Sequence, residues 1–243
     1  MIKDKIAISI DKSILNLVDS KIDGSMIRSR SQAIEYFLRK GLNEDAVLDA
    51  VLLLRGTQQD VALRNFKGKS LIKNQVEFFA KNGIKKIYLL TQNPGKELRE
   101  ELVDSNVEII EGSIRGNASS LNVLRNRLKN NFVVMSGDTF NSFDLMKMVN
   151  KHNSVNKLCT MGLMTREKSN EYGTAILDGD FIVDFKEKTK TLSSHIVNAG
   201  IYIFKPGIFE LLERSLEKEL FPKLAKINEL VGFFTYGEYE HFG

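Results

Sequence analysis

Residues 5–10, Lys5-Ile6-Ala7-Ile8-Ser9-Ile10, alternate isoleucine with polar or small residues. A period of two predicts a short strand with one buried face. Asp11 fits a helix N-cap, and Ile14, Leu15, Val18 and Ile22 then recur at three- and four-residue spacing, which predicts a helix closed at Gly24. A second helix is expected from Ser29 or Ser31, with Ile34, Phe37, Leu38 and Leu42 as its apolar stripe and Gly41-Leu42-Asn43 as its end. After about residue 46 the pattern changes. Short apolar runs at 49–54, 86–91, 107–110 and 132–136 alternate with helical patterns at about 70–82, 96–104 and 118–129, an order that predicts a parallel sheet. Further strands are expected at 158–164, 174–178, 181–186 and 197–204, then helices near 207–226 and a last strand at 231–236. Leu42 to Asp49 is the candidate linker, so the chain divides at 1–44 and 45–243.

One strand and two helices cannot bury a core alone, since a unit of about 45 residues stands near the limit of independent stability. Pairing the strand with its copy in a second chain would place Ile6, Ile8 and Ile10 on four helices and leave Lys5, Ala7 and Ser9 outward. Residues 3–42 resemble the ribbon-helix-helix family over that whole unit, including the Ile27-Arg28-Ser29-Arg30-Ser31-Gln32 passage that opens the second helix. The resemblance implies a homodimer or higher homo-oligomer and a double-stranded DNA partner. A ribbon of this kind fits the major groove, so Lys5, Ala7 and Ser9 are the expected base readers. Arg28, Ser29 and Arg30, at a helix start with free N–H groups, are the expected phosphate contacts. A pairing module without DNA is the other reading of the same unit.

Composition narrows the setting. Hydrophobic residues make up 42% and charged ones 27%, which excludes a disordered or collagenous chain, and the single cysteine, Cys159, excludes an internal disulfide. No apolar run reaches membrane-spanning length and the start MIKDKIAISI lacks a signal-peptide core, so a cytoplasmic protein with no membrane partner is expected. Net charge is only +4, but the first 44 residues hold 8 Lys and Arg against 6 Asp and Glu, half of that excess in under a fifth of the chain.

From residue 50 onward several passages fall in a telling order. They are Gly68-Lys69-Ser70-Leu71-Ile72, Asn82-Gly83-Ile84, Gly116-Asn117-Ala118-Ser119-Ser120-Leu121, the strand-end Ser136-Gly137-Asp138, Tyr172-Gly173, Phe185-Lys186-Glu187-Lys188 and Asn198-Ala199-Gly200. Their order and spacing resemble those of the sugar-phosphate nucleotidylyltransferases, which join a nucleoside triphosphate to a sugar phosphate. The resemblance implies a Rossmann-like, GT-A-like α/β domain with a mixed sheet. It makes Arg55, Gly56, Asn117, Gly137, Asp138, Gly173, Glu187 and Asn198 the candidate ligand-binding residues, with Asn117 toward the base and Gly173, Glu187 and Asn198 toward the sugar. Asp138 ends a strand of an open sheet, where ligands bind, and is the candidate ligand of a magnesium ion. Lys186, Lys188 and Arg166 are further phosphate candidates, while His152 and His195 stand isolated and are assigned no catalytic role.

Two departures shape the expected function. The family's glycine-rich GG-x-GTR turn is replaced by Leu54-Arg55-Gly56-Thr57-Gln58-Gln59-Asp60, and glycine is what lets backbone amides approach phosphates closely. Tyr239-Glu240-His241-Phe242-Gly243 stands where the family has W-x-DIG, so a histidine replaces a metal carboxylate. Losing both should remove most of the rate of nucleotidyl transfer. On this reading no residue is catalytic, and the chain is a DNA-binding transcriptional regulator whose degenerate body senses a nucleotide, sugar phosphate or nucleotide sugar. The alternative is an active, magnesium-dependent sugar-phosphate nucleotidylyltransferase with a head that pairs subunits or autoregulates.

Overall fold

The structure is a computed structural model that describes residues 6–24, 27–41, 46–112, 116–188 and 194–242. It divides into two compact units, Met1–Ala46 and Val47–Gly243.

In the first unit, α1 (Lys12–Asp19) is capped by the Asp11 carboxylate, which accepts from the Ser13 N–H at 2.8 Å, and α2 (Arg30–Gly41) follows. Residues 6–10 form no strand, contrary to the alternation at 5–10. A ribbon strand exists only when a second strand accepts its hydrogen bonds, and among the described residues none pairs with it. Val18 and Ala33 are buried, whereas Ile6 is 76% and Ile8 56% exposed, and Ile14, Leu17, Phe37 and Leu38 are also exposed. The expected apolar stripes are therefore largely uncovered in the single chain. Lys5 and Leu42 lie outside the described residues.

The second unit begins with β1 (Asp49–Leu53), a short 3₁₀ turn (Gly56–Gln58), α3 (Gln59–Leu63), the small hairpin β2 (Asn65–Phe66) and β3 (Lys69–Ser70), and α4 (Leu71–Lys81). Then come β4 (Lys86–Thr91), α5 (Lys96–Glu101), β5 (Val107–Glu111), α6 (Asn117–Leu121), β6 (Phe132–Ser136), β7 (Thr139–Asn141) and α7 (Leu145–Val155). The chain continues through β8 (Cys159–Thr165), β9 (Gly173–Asp178), β10 (Phe181–Glu187), β11 (Ile196–Phe204), α8 (Phe221–Lys226), β12 (Leu230–Phe234) and β13 (Tyr239–His241).

Among the described residues nine strands form one sheet in the order β5-β4-β1-β6-β11-β8-β12-β10-β9. The first four run parallel, as the β-α alternation predicts. Beyond them the sheet is mixed, as the nucleotidylyltransferase resemblance implies: β11 lies antiparallel to both β6 and β8. Successive strand residues face opposite layers. Val51, Phe132 and Val134 enter one core with Tyr202, Phe204 and Phe221, while Ala50, Leu52, Val133 and Met135 enter the other with Ile72, Phe79 and Ile203.

Two helical expectations shorten. The pattern at 118–129 yields only α6 and a 3₁₀ turn (Asn122–Leu124), since short polar side chains satisfy local backbone there, Ser120 Oγ donating to the Gly116 carbonyl at 3.0 Å. The stretch at 207–226 breaks into a 3₁₀ segment (Pro206–Glu210), a π-helical turn (Leu216–Leu220) and α8.

Candidate active site

The carboxyl ends of β1, β4 and β6 open into a cavity of about 850 Å³, closed on the far side by the start of β9, the end of β10, β11, the 214–218 turn and β13. Asp138 stands two residues beyond the end of β6. The Gly137 N–H donates to the Leu53 carbonyl at 2.7 Å, and the Phe242 N–H donates to the Asp138 carbonyl at 2.9 Å. Beneath this turn the fully buried Gln75 donates through Nε2 to the carbonyls of Ser136, at 3.0 Å, and Thr139, at 2.5 Å. Above it Gln58 Nε2 donates to Asp138 Oδ2 at 3.1 Å. Both Gln58 and Asp138 line the cavity.

The replaced glycine turn still reaches the site. Arg55, Gly56, Thr57, Gln58 and Gln59 all line the cavity. Glutamine side chains pin them there: Gln92 Oε1 accepts from the Gly56 N–H at 2.6 Å, and Gln59 Nε2 lies 3.1 Å from the carbonyls of Gly56, Gln92 and Asn93. A Cβ on residue 56 would sit 2.8 Å from the Gln92 carbonyl oxygen, so glycine is required at this one position. The structure thus compensates side chain for backbone in the segment where the sequence departs from the expected turn.

On the opposite wall the β10 residue Glu187 is half-buried and its carboxyl is pushed up, first by burial and next by the charge of Glu217, with Lys188, Lys218 and Arg55 pulling the other way. Gly173 lies against it: a Cβ there would meet the Phe185 ring at 2.4 Å and Glu187 Oε2 at 2.8 Å. Asn198 donates to the Tyr202 hydroxyl at 2.6 Å and accepts from the Gly200 N–H at 2.8 Å. Asn117 donates to both oxygens of Glu217, at 3.0 and 2.9 Å, while its Oδ1 accepts from the N–H groups of Ala118 and Leu216, at 2.8 and 3.0 Å. Both asparagines were expected as ligand contacts. Both line the cavity, and their hydrogen bonds to the protein brace its wall.

Among the other candidates, Lys188 and His241 line the cavity, the His241 ring standing edge-on to Tyr172 at 6.3 Å. Lys186 pairs with Asp184 at 3.2 Å and Arg166 lies over the Tyr239 ring at 5.0 Å; neither is a lining residue. His152 is buried in the core with Nδ1 2.8 Å from Thr160 Oγ1, and His195 is exposed. In the head, Arg30 makes a two-pronged ion pair with Asp19 at 2.7 and 2.6 Å, the Ser29 hydroxyl accepts from the Gln32 N–H at 3.3 Å, and the Arg28 N–H donates to Gln32 Oε1 at 2.8 Å. Ala7 and Ser9 are exposed.

Sequence reasoning missed Gln58, Gln59, Gln92, Arg214 and Glu217. Isolated polar residues beside a turn carry no signal of their own, and Glu217 reads as surface charge on an amphipathic helix.

A family model described as "Nucleotidyl transferase" matches residues 57–232. The chain is 30% identical over 195 residues to the mannose-1-phosphate guanylyltransferase catalytic subunit beta of Drosophila pseudoobscura pseudoobscura, covering 74% of this chain and 53% of that one. It is 27% identical over 196 residues to the protein of the same description from Xenopus tropicalis, covering 74% and 54%. The chain therefore spans about half the length of the curated relatives it matches. Among solved structures, the inositol-1-phosphate CTP transferase from T. maritima superposes with a TM-score of 0.64 at 16% identity, over 81% of this chain and 89% of that one, a likeness of fold. These findings overturn the expectation of a DNA-binding regulator with a lapsed catalytic body. The relatives are described as transferases, and the segment thought ruined is tethered in the cleft beside Asp138 by glutamine side chains.

Proposed function

The chain belongs to the nucleotidyl transferase family, and from that premise we propose that it is an active sugar-phosphate nucleotidylyltransferase. A phosphate oxygen of a sugar 1-phosphate attacks the α-phosphorus of a nucleoside triphosphate, the bond to the β-phosphate oxygen breaks, and pyrophosphate leaves. The names of the relatives make GTP and mannose 1-phosphate the first pair to test.

The observation that carries this reading is the convergence of Asp138, Arg55 and Lys188 on one cavity with Gly173 and Glu187. Arg55 and Lys188, with Arg214 and Lys218 on the same cavity wall, are cations available to phosphate oxygens. Asp138 is the residue that would hold a magnesium ion, which when bound would offset charge on the phosphates. The donor chemistry fits: Asp138 offers a hard carboxylate to the cavity, and magnesium favours one or two carboxylates with the rest of its shell from phosphate and water. Glu187, beside the bare Gly173 backbone, supplies acceptors for a polyol.

The test is release of pyrophosphate with magnesium, each nucleoside triphosphate and a panel of sugar 1-phosphates. Turnover in the parent chain, lost in Asp138→Ala, is the expected result. Failure of every pair would sink the proposal.

The head is assigned pairing of subunits. Support comes from the exposed Ile6, Ile8, Ile14 and Leu17, a set of apolar side chains that a second copy of the same unit would cover in the ribbon-helix-helix manner.

A further inference from the structure

The π-helical turn Leu216–Leu220, in which the Leu220 N–H bonds to the Ser215 carbonyl at 3.1 Å, belongs to a class of wide turn found often at functional sites. Its Glu217 is half-buried and lines the cavity. Both carboxylate oxygens accept from Asn117 Nδ2, and Oε2 lies 3.2 Å from Ser215 Oγ. Asn117 is itself fixed by the N–H groups of Ala118 and Leu216. A carboxylate has roughly four acceptor positions, so Glu217 is held in one orientation with capacity left over.

Glu187 lines the same cavity, and the charge of Glu217 helps push its carboxyl up. Two carboxylates lining one cleft repel phosphate and accept from donors only. A ligand that satisfies both must carry donors at several points around its body. A polyol ring does so; the donor edge of a guanine base can serve one carboxylate at a time.

Building on the transferase reading, we propose that Glu217 is a specificity-determining residue that accepts hydrogen bonds from ring hydroxyls of the sugar 1-phosphate, with Asn117 as its positioning residue. Wild type, Glu217→Gln and Asn117→Ala are titrated separately with mannose 1-phosphate, glucose 1-phosphate, their monodeoxy analogues and GTP. Binding is read by calorimetry and folding by thermal midpoint. Loss of a hydrogen bond to a charged group predicts about tenfold weaker sugar 1-phosphate binding in Glu217→Gln, with GTP affinity within about twofold of the parent. One monodeoxy analogue should bind wild type about as weakly as the parent sugar binds Glu217→Gln, and should lose nothing further in that variant. Asn117→Ala should shift the same sugars in the same direction, by less.

Weaker GTP binding with unchanged sugar affinity would assign Glu217 to the base and overturn the proposal, as would unchanged affinity for both or no sugar 1-phosphate binding in wild type. Pyrophosphate release, measured alongside, separates the two readings. Sugar binding that depends on Glu217 without turnover sinks only the transferase; turnover with sugar binding indifferent to Glu217→Gln sinks only this assignment.

Discussion

Gln75 donates a 2.5 Å hydrogen bond to the Thr139 carbonyl from within the core, and with its second bond, to Ser136, it suspends the Asp138 turn from α4. Gln75→Leu keeps the volume and removes both bonds, leaving the Thr139 carbonyl without this donor while the Ser136 carbonyl keeps the Thr139 hydroxyl at 3.1 Å. An unsatisfied buried group costs about 1–3 kcal/mol, so the expected loss of stability by urea unfolding is about 1–3 kcal/mol. Pyrophosphate release per folded molecule should fall as well, because the carboxylate loses its fixed height above the strand ends. Activity that merely tracks the folded fraction would reduce Gln75 to a stabilising role.

Gly173 gives a sharper steric test. A methyl group there would collide with Phe185, which is buried, and with Glu187 Oε2. Gly173→Ala is expected to cost about 1–3 kcal/mol through overpacking and to displace the Glu187 carboxylate. The KM for the sugar 1-phosphate should rise while that for the nucleoside triphosphate holds; equal rises in both would place the disturbance elsewhere.

What the sequence disclosed, and what it hid, follows from the range of each interaction. The short apolar runs at 86–91 and 132–136 are local signals strong enough to mark β4 and β6, and Asp138 is legible because it follows such a run. The antiparallel insertion of β11 is not legible in the strand pattern, although the family resemblance implies a mixed sheet. It depends on which strand edge the chain returns to, and Ile196–Phe204 reads the same in either direction. Asn117 and Asn198 were found by motif but their protein partners were not, since partners such as Glu217, 100 positions away, are set by the fold alone. The glutamines that hold the 55–59 segment share that difficulty: the loss of glycine is written in the sequence, whereas its replacement by Gln59 and Gln92 exists only in space.

For the head, light scattering on the full chain supplies the prediction. If Ile8 is covered by a second copy, the wild type is at least dimeric and Ile8→Asp shifts it toward monomer, since burying an unpaired carboxylate is strongly unfavourable. The transferase cleft lies wholly within residues 53–241, so per-chain pyrophosphate release should change little. A monomeric wild type would remove the pairing role.

His152 makes stability depend on pH. It is fully buried, its Nε2 has no hydrogen-bond partner among the described residues, and burial, aided by the charge of Lys205, lowers its pKa from 6.5 to about 3. In the unfolded chain the imidazole takes up a proton near pH 6.5; in the folded chain it stays neutral to far lower pH. The unfolded state therefore binds more protons below pH 6.5, and stability falls as pH drops from about 6.5 toward about 3, by up to about 1.4 kcal/mol per pH unit for this one group. Carboxylates held low by hydrogen bonds, such as Asp144 and Glu101, add their own losses only near and below their ordinary values of 3.8 and 4.5. Between about pH 6.5 and 5 the raised carboxyls of Glu187 and Asp49 act in the opposite sense, since they take up protons in the fold, so it is the difference between wild type and a histidine variant that isolates His152. His152→Gln, which cannot titrate, should lose the histidine's share of the fall in urea-unfolding free energy across that interval whatever its absolute stability. A slope equal to that of the wild type would mean that His152 is protonated in the fold.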